Sequence, residues 1–197
     1  ELVSFELQPD NMKPRNSGKS HVFGGELEIR KGLDKHTSSK FLSGFYFTTN
    51  FTMVHSMVDM SSVFVDNAGS TELDLRRENN DVPSRYRIMS GQSPYSVNAG
   101  ISYNIKSIMT DITLSYNVQG DQLSIIGSGR VPDIYTKSFH SLNLNIIKDF
   151  GKHSRLTFGV NNLLNQSQVM VYKSNGYGDE VFRKFSPGME FKLKYRF

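Results

Sequence analysis

The chain has 197 residues, of which 37% are hydrophobic, 12% aromatic and 21% charged, and 23 basic against 19 acidic residues leave a net charge of +4. That aromatic content argues against long disorder, glycine follows no collagen period, and no run of about 18 apolar residues encodes a transmembrane helix. Cysteine is absent, which excludes disulfide scaffolds and thiolate metal sites, and no long basic run marks a nucleic-acid footprint.

Residues 1–20, opening Glu1-Leu2-Val3-Ser4-Phe5, lack the basic start and apolar run of a signal peptide, which implies a cytosolic, processed or truncated chain. Residues 1–7 read as the last part of a strand, with Leu2, Val3, Phe5 and Leu7. Residues 22–30 alternate Phe23, Gly25, Leu27 and Ile29 with Gly24, Glu26, Glu28 and Arg30. Residues 41–57 are the longest candidate, with Phe41, Phe45, Phe47, Phe51, Met53 and Met57 on one side and Gly44, Tyr46, Thr48, Asn50, Thr52 and Ser56 on the other. Residues 95–105 set Tyr95, Val97, Ala99, Ile101, Tyr103 and Ile105 against Ser96, Asn98, Gly100, Ser102 and Asn104. Residues 108–119 repeat this, with Ile108, Thr110, Ile112, Leu114, Tyr116 and Val118 against Met109, Asp111, Thr113, Ser115, Asn117 and Gln119. Leu142, Leu144 and Ile146 alternate with Ser141, Asn143 and Asn145, and Leu156, Phe158 and Val160 with Arg155, Thr157, Gly159 and Asn161. The last element runs Met189, Phe191, Leu193, Tyr195, Phe197 against Glu190, Lys192, Lys194 and Arg196. Successive side chains of a strand point to opposite faces, so a period of two predicts about eight strands with one apolar and one small, polar face.

The connections alternate along the chain: long near 8–20, 58–92, 120–138 and 165–187, short near 31–40, 104–107 and 149–153. Outer-membrane barrels have short turns at the periplasmic rim and long extracellular loops at the other. Alternation by itself also fits a half-buried soluble sheet. Two features favour a barrel. Residues 95–105 and 141–147 put Ser, Asn and Gly where a sandwich carries charge, and aromatics cluster at strand ends (Tyr95 and Tyr103, Phe45 and Phe47, Tyr195 and Phe197) like the girdles of membrane barrels. The expected fold is an all-β antiparallel transmembrane barrel with its apolar face in lipid, closed so that every backbone group is paired.

The terminal strand, with Phe191, Leu193, Tyr195 and Phe197 at every second position, resembles the assembly signal of outer-membrane barrels. Phe158-Gly159-Val160-Asn161-Asn162-Leu163-Leu164-Asn165 resembles the Asn-Leu-Leu/Phe segment of TonB-dependent outer-membrane transporters, where a loop and one last strand follow. Residues 90–103, Val131-Pro132-Asp133-Ile134-Tyr135 and Val22-Phe23-Gly24-Gly25-Glu26-Leu27-Glu28 look like the Bacteroidetes branch of that family. The resemblance covers essentially the whole chain. It implies a 22-stranded barrel with an N-terminal plug, of which this chain is the C-terminal third. The partners it implies are outer-membrane lipid, the barrel-assembly machinery, TonB acting through the missing N-terminal part, and a surface lipoprotein. The cell outer membrane is the implied location, with no nucleic-acid partner and no cofactor.

Three functions follow as expectations. The first is TonB-coupled uptake of a scarce nutrient such as a siderophore, haem, vitamin, peptide or glycan. Ligand contacts then come from long loops: Asp74, Arg76, Arg77 and Arg85 in 58–92, and Tyr172 and Tyr177 in 165–187. The second is a complete small eight-stranded barrel whose interior charges form an ionic network. The third, an outer-membrane enzyme, is disfavoured because His21, His36, His55, His140 and His153 are scattered and only His55, beside Ser56 and Asp59, suggests a catalytic pairing.

Overall fold

The computed structural model describes residues 3–8, 11–16, 19–59, 86–126, 132–151, 153–174 and 178–197. Among these the chain is all-β, with fourteen strands, two 3-10 turns and no α-helix; no helix is long and apolar enough to cross a membrane. All strand pairs are antiparallel. The first two, β1 (Val3–Gln8) and β2 (Asn11–Asn16), form a separate hairpin, so the expected first strand pairs within what had read as a long connection.

The main sheet is a meander of β3 (Ser20–Gly32), β4 (Phe45–Asp59), β6 (Tyr95–Ile105), β7 (Thr110–Gln119), β10 (Phe139–Phe150), β11 (Ser154–Asn161) and β14 (Glu190–Arg196). The short β5 (Tyr86–Arg87) adds to the end of β4. Register carries the alternation across the whole sheet. One apolar row runs Phe47, Ile101, Leu114, Leu144, Val160, Phe191, and the next runs Phe45, Tyr103, Ile112, Ile146, Phe158, Leu193. The opposite face is a ladder of polar groups, mostly small from β4 to β10 and charged on β14, with Glu190, Lys192, Lys194 and Arg196. The Ser102 and Thr113 hydroxyls meet at 3.0 Å, Asn117 donates to Asn98, Asn104 donates to Asp111, and Asn161 donates to Glu190 at 2.9 Å. Most of the apolar face is uncovered: Leu114 is 37% exposed, Phe191 65% and Leu193 73%, while Val160, in the row of Leu114 and Phe191, is buried.

Two ring-on-glycine contacts mark the ends of β6. Tyr95 lies against Gly120 and Tyr103 against Gly44, each so close that a β-carbon on the glycine would meet the ring at 2.6 Å. Tyr103 also contacts Phe45 and Phe41, with centroids 4.5 and 5.3 Å apart. The eleven residues of β6 span about 33 Å, or about 25 Å when tilted by about 40°, the height of an outer-membrane apolar band.

The expected strands begin too early at two turns. Phe41 precedes a 3-10 turn, Leu42–Gly44, and Ile108 ends another, Lys106–Ile108, which Met109 closes in the left-handed region (φ 49). Rim residues that are apolar but not extended look like strand in a period-two pattern. Two long connections are hairpins, not loops. A second, four-stranded sheet pairs β8 (Gln122–Ile125), β9 (Ile134–Thr136), β12 (Gln168–Ser174) and β13 (Gly178–Phe185). Each continues a strand of the main sheet across a short break, so this upper sheet crowns β7, β10, β11 and β14. Leu123 and Ile134 are buried in it. Among the described residues the main sheet is open: nothing pairs with the outer edges of β3 and β14.

Candidate functional site

Three places have chemistry beyond the sheet itself. The first is the terminal strand. Phe191, Leu193 and Tyr195 of β14 oppose Val160, Phe158 and Leu156 of β11. Tyr195 donates its hydroxyl to Ser154 at 3.2 Å, and its ring lies tilted beside Phe197 with centroids 6.2 Å apart. All four expected signal residues are exposed, on an edge strand with free backbone groups, the form in which a strand is recognised by pairing.

The second is the junction between the two sheets. Asn162, buried and in the left-handed region (φ 54), is its hub. Its amide nitrogen donates to the carbonyls of Gln166 (3.2 Å) and Gly188 (2.9 Å), its amide oxygen accepts from the Gln166 N–H (3.1 Å), and its backbone N–H donates to Asn143 Oδ1 (3.0 Å). Gln166 in turn accepts from the His140 N–H at 2.7 Å. The Asn162 side chain thus ties together two strand breaks, and the Gln166 side chain adds the third. Asp121 does the same for the fourth: it accepts from the Ser138 N–H at 2.7 Å and pairs with Lys137 at 2.7 Å, and Lys137 reaches Asp179 at 3.4 Å.

The returning segment 86–94 straps this junction to β4. Met89 N–H donates to the buried Ser56 Oγ at 3.0 Å, Gly91 N–H and Ser90 Oγ donate to the Leu123 carbonyl at 2.8 and 3.2 Å, and Arg87 pairs with Asp133 at 3.4 Å. Burial, then the Asp133 carboxylate, raise the Tyr135 pKa above its ordinary value, against the opposing Arg87 charge. Burial alone would raise Asp121, but hydrogen bonds from Lys137 and from the Ser138 N–H outweigh it, and its carboxyl sits below the usual value. Lys137 is raised, chiefly by its hydrogen bond to Asp121.

A carboxyl depressed on folding contributes above its unfolded pKa and loses that contribution as pH falls through the folded value. The Asp121 clamp is therefore intact at neutral pH and released only in acid, below the ordinary carboxylate range. Hydrogen exchange checks it: the protection factor of the Ser138 amide is expected to fall in acid relative to Leu144 in mid-strand, and Asp121→Asn is expected to flatten that response. A Ser138 protection factor indifferent to acid would contradict the clamp.

The third place is a trough of about 490 Å³ on the polar face. Gly100 forms its floor, where a β-carbon would meet Thr48 Oγ1 at 2.7 Å. Asn50, Asn98, Ser115 and Asn117 surround it with amides and hydroxyls, and Tyr46 lies to one side. Its two charged residues, Glu28 and Arg30, are paired with each other. The chemistry suits a neutral, hydroxyl-rich surface or water more than an ion.

Of the residues expected to contact ligand, Tyr172 stands in β12 rather than at a loop tip, its ring edge-on to Phe182 at 5.2 Å. Asp74, Arg76, Arg77, Arg85 and Tyr177 lie outside the described residues. His55 and Ser56 point to opposite faces of β4; His55 packs on Phe23 with centroids 5.0 Å apart while Ser56 is buried under Met89. No group of three or more His, Asp or Glu fit to hold a metal occurs among the described residues. The sequence reading missed Asn162 and Asp121 as clamps. The Gly120-Asp121 pair and the run of Asn at the end of β11 were available as break signals. No protein-family model, no curated protein and no solved structure matches this chain.

Proposed function

We propose that the main sheet is part of the lipid-facing wall of an outer-membrane β-barrel, and that the barrel is a TonB-dependent transporter of which this chain is a C-terminal section. The observation that carries the reading is the largely uncovered apolar face: two rows from β4 to β14 hold no polar or charged side chain apart from the Tyr103 hydroxyl, backed by a polar face that is mostly Asn, Ser, Thr and Gly from β4 to β10 and charged on β14. A soluble sheet buries such a face, and an exposed patch of this extent marks a membrane or partner surface. In lipid the outer edges of β3 and β14 must pair with further strands, because unpaired backbone groups are too costly there.

On this reading the short turns face the periplasm, the upper sheet and the 86–94 strap stand outside the cell, and the polar trough lines an aqueous lumen. The cargo is a scarce nutrient of the siderophore, haem, vitamin, peptide or glycan kind. The barrel-assembly machinery reads β14, TonB acts through a plug beyond these residues, and a surface lipoprotein is a further partner. This part of the chain has a transport and binding role, not a catalytic one.

Fractionation of cells making the full gene product tests the wall. The protein is expected in the outer membrane, extracted only by detergent, and faster on gels unheated than boiled; recovery as a folded soluble monomer overturns it. Loss of TonB is expected to abolish nutrient uptake by those cells. Uptake indifferent to TonB overturns transport while leaving the barrel standing.

A further inference from the structure

Each end of the main sheet has cations held by carboxylates, such as Arg155 by Asp149 at the short-turn end, and cations in no ion pair among the described residues, such as Lys19, Arg183 and Lys184 at the upper end. At the upper end, Arg87 is paired with Asp133, and Lys137 with Asp121 and Asp179. At the short-turn end, Lys31, Lys35, Lys40 and Lys106 are exposed, and none of them is in an ion pair among the described residues. Asp34 is the sole acid in the turns 33–44 and 106–109. Those turns also hold out large apolar side chains: Phe41 and Leu42 in one, Ile108 and Met109 in the other, the last 50% exposed.

This rim is continuous with the apolar face. Lys31 follows Ile29 on that face of β3 and opposes Phe47. Lys148 holds the equivalent place on β10, its ammonium 5.7 Å from the Phe150 ring centroid and donating to the Ile108 carbonyl. Ammonium groups on aliphatic stems, interleaved with exposed apolar side chains, suit the boundary between acyl chains and headgroups, where the stems lie along hydrocarbon and the charges reach anionic lipid.

We infer that the short-turn rim is a docking surface for anionic phospholipid headgroups, with Lys31, Lys35, Lys40 and Lys106 contacting the phosphates of the leaflet on that side. The inference rests on the membrane-wall reading above. Its consequence is that the short-turn rim is held at a negatively charged surface.

The full-length protein, diluted from detergent into vesicles of phosphatidylcholine alone or of a three-to-one mixture with phosphatidylglycerol, tests it by flotation. The wild type is expected to prefer the anionic vesicles, and added salt is expected to erase the preference. The quadruple variant K31Q/K35Q/K40Q/K106Q should lose the preference by about fivefold per lysine at first, and at least about tenfold in total. The double variant R183Q/K184Q, in β13, should keep it. A wild type that inserts equally into both vesicles overturns the docking surface and leaves the wall intact; so does a preference lost equally, per charge removed, in both variants. Insertion into neither vesicle overturns the wall and the rim together. Should the quadruple variant not fold, the wild-type salt titration and the arginine version, K31R/K35R/K40R/K106R, which should retain the preference, decide the matter.

Discussion

Leu114→Arg is expected to cost about 2–4 kcal/mol of folding free energy in a lipid bilayer, the depth-dependent penalty for a guanidinium on the outside of a membrane barrel near the midplane. Leu114 sits at the centre of an apolar row, between Ile101 on β6 and Leu144 on β10, and is 37% exposed. If water covered that face, an exposed Leu→Arg change would stay within about 0.5 kcal/mol. The adjacent Ser115→Arg is the internal control. It points to the polar face, beside Gly100 and the trough, where a guanidinium meets water and costs under about 1 kcal/mol. Reversible urea unfolding from phosphatidylcholine vesicles measures both. Equal, near-zero costs would remove lipid from the Leu114 face; a large cost at Ser115 with none at Leu114 would invert the assignment of faces.

The second large effect is expected at Asn162. Asn162→Ala removes an acceptor for the Gln166 N–H and donors for the Gln166 and Gly188 carbonyls, and leaving such groups unpaired costs about 1–3 kcal/mol each where no water replaces the bond. Alanine also tolerates the left-handed backbone poorly, by about 1–2 kcal/mol. With water able to replace part of the lost bonding at this part-buried junction, the loss is expected at about 3–5 kcal/mol, measured by the same unfolding titration. Asn162→Gly separates the two causes, because glycine relieves the backbone and restores none of the bonds. It should recover only about 1 kcal/mol. A glycine variant as stable as the wild type would show that conformation matters here and the hydrogen-bond hub does not.

The strands of the main sheet were legible because one face is apolar at every second residue and the other is small and polar, as in Tyr95–Ile105. Their turn-side ends were blurred by Phe41 and Ile108, which are apolar for reasons of the rim and not of the strand. The upper hairpins were invisible to period two. In β8 and β9, Leu123 and Ile134 are both buried although their side chains belong to different pairing rows, and β13 reads Gly-Asp-Glu-Val-Phe-Arg-Lys-Phe, which alternates weakly. The junction was harder still. Asn162, Gln166 and Gly188 meet only after two strand breaks, and Lys137 joins Asp121, at the foot of its own hairpin, to Asp179 on the other. Local patterning has no means of bringing such residues together. Of the expected fold, the all-β antiparallel meander is present, and no closed barrel forms among the described residues.

The breaks at 120–121, 137–138, 162–167 and 186–189 divide each of four strands into a lower and an upper length. Register above a break is set anew by side-chain clamps rather than inherited rung by rung from below. A residue gained or lost in the tip of an upper hairpin is therefore absorbed above Asn162 and Asp121, and the greasy and hydrophilic sides beneath keep their places. In the proposed wall, such a molecule is free to vary its outermost surface while the part that would match a fixed thickness of hydrocarbon stays constant.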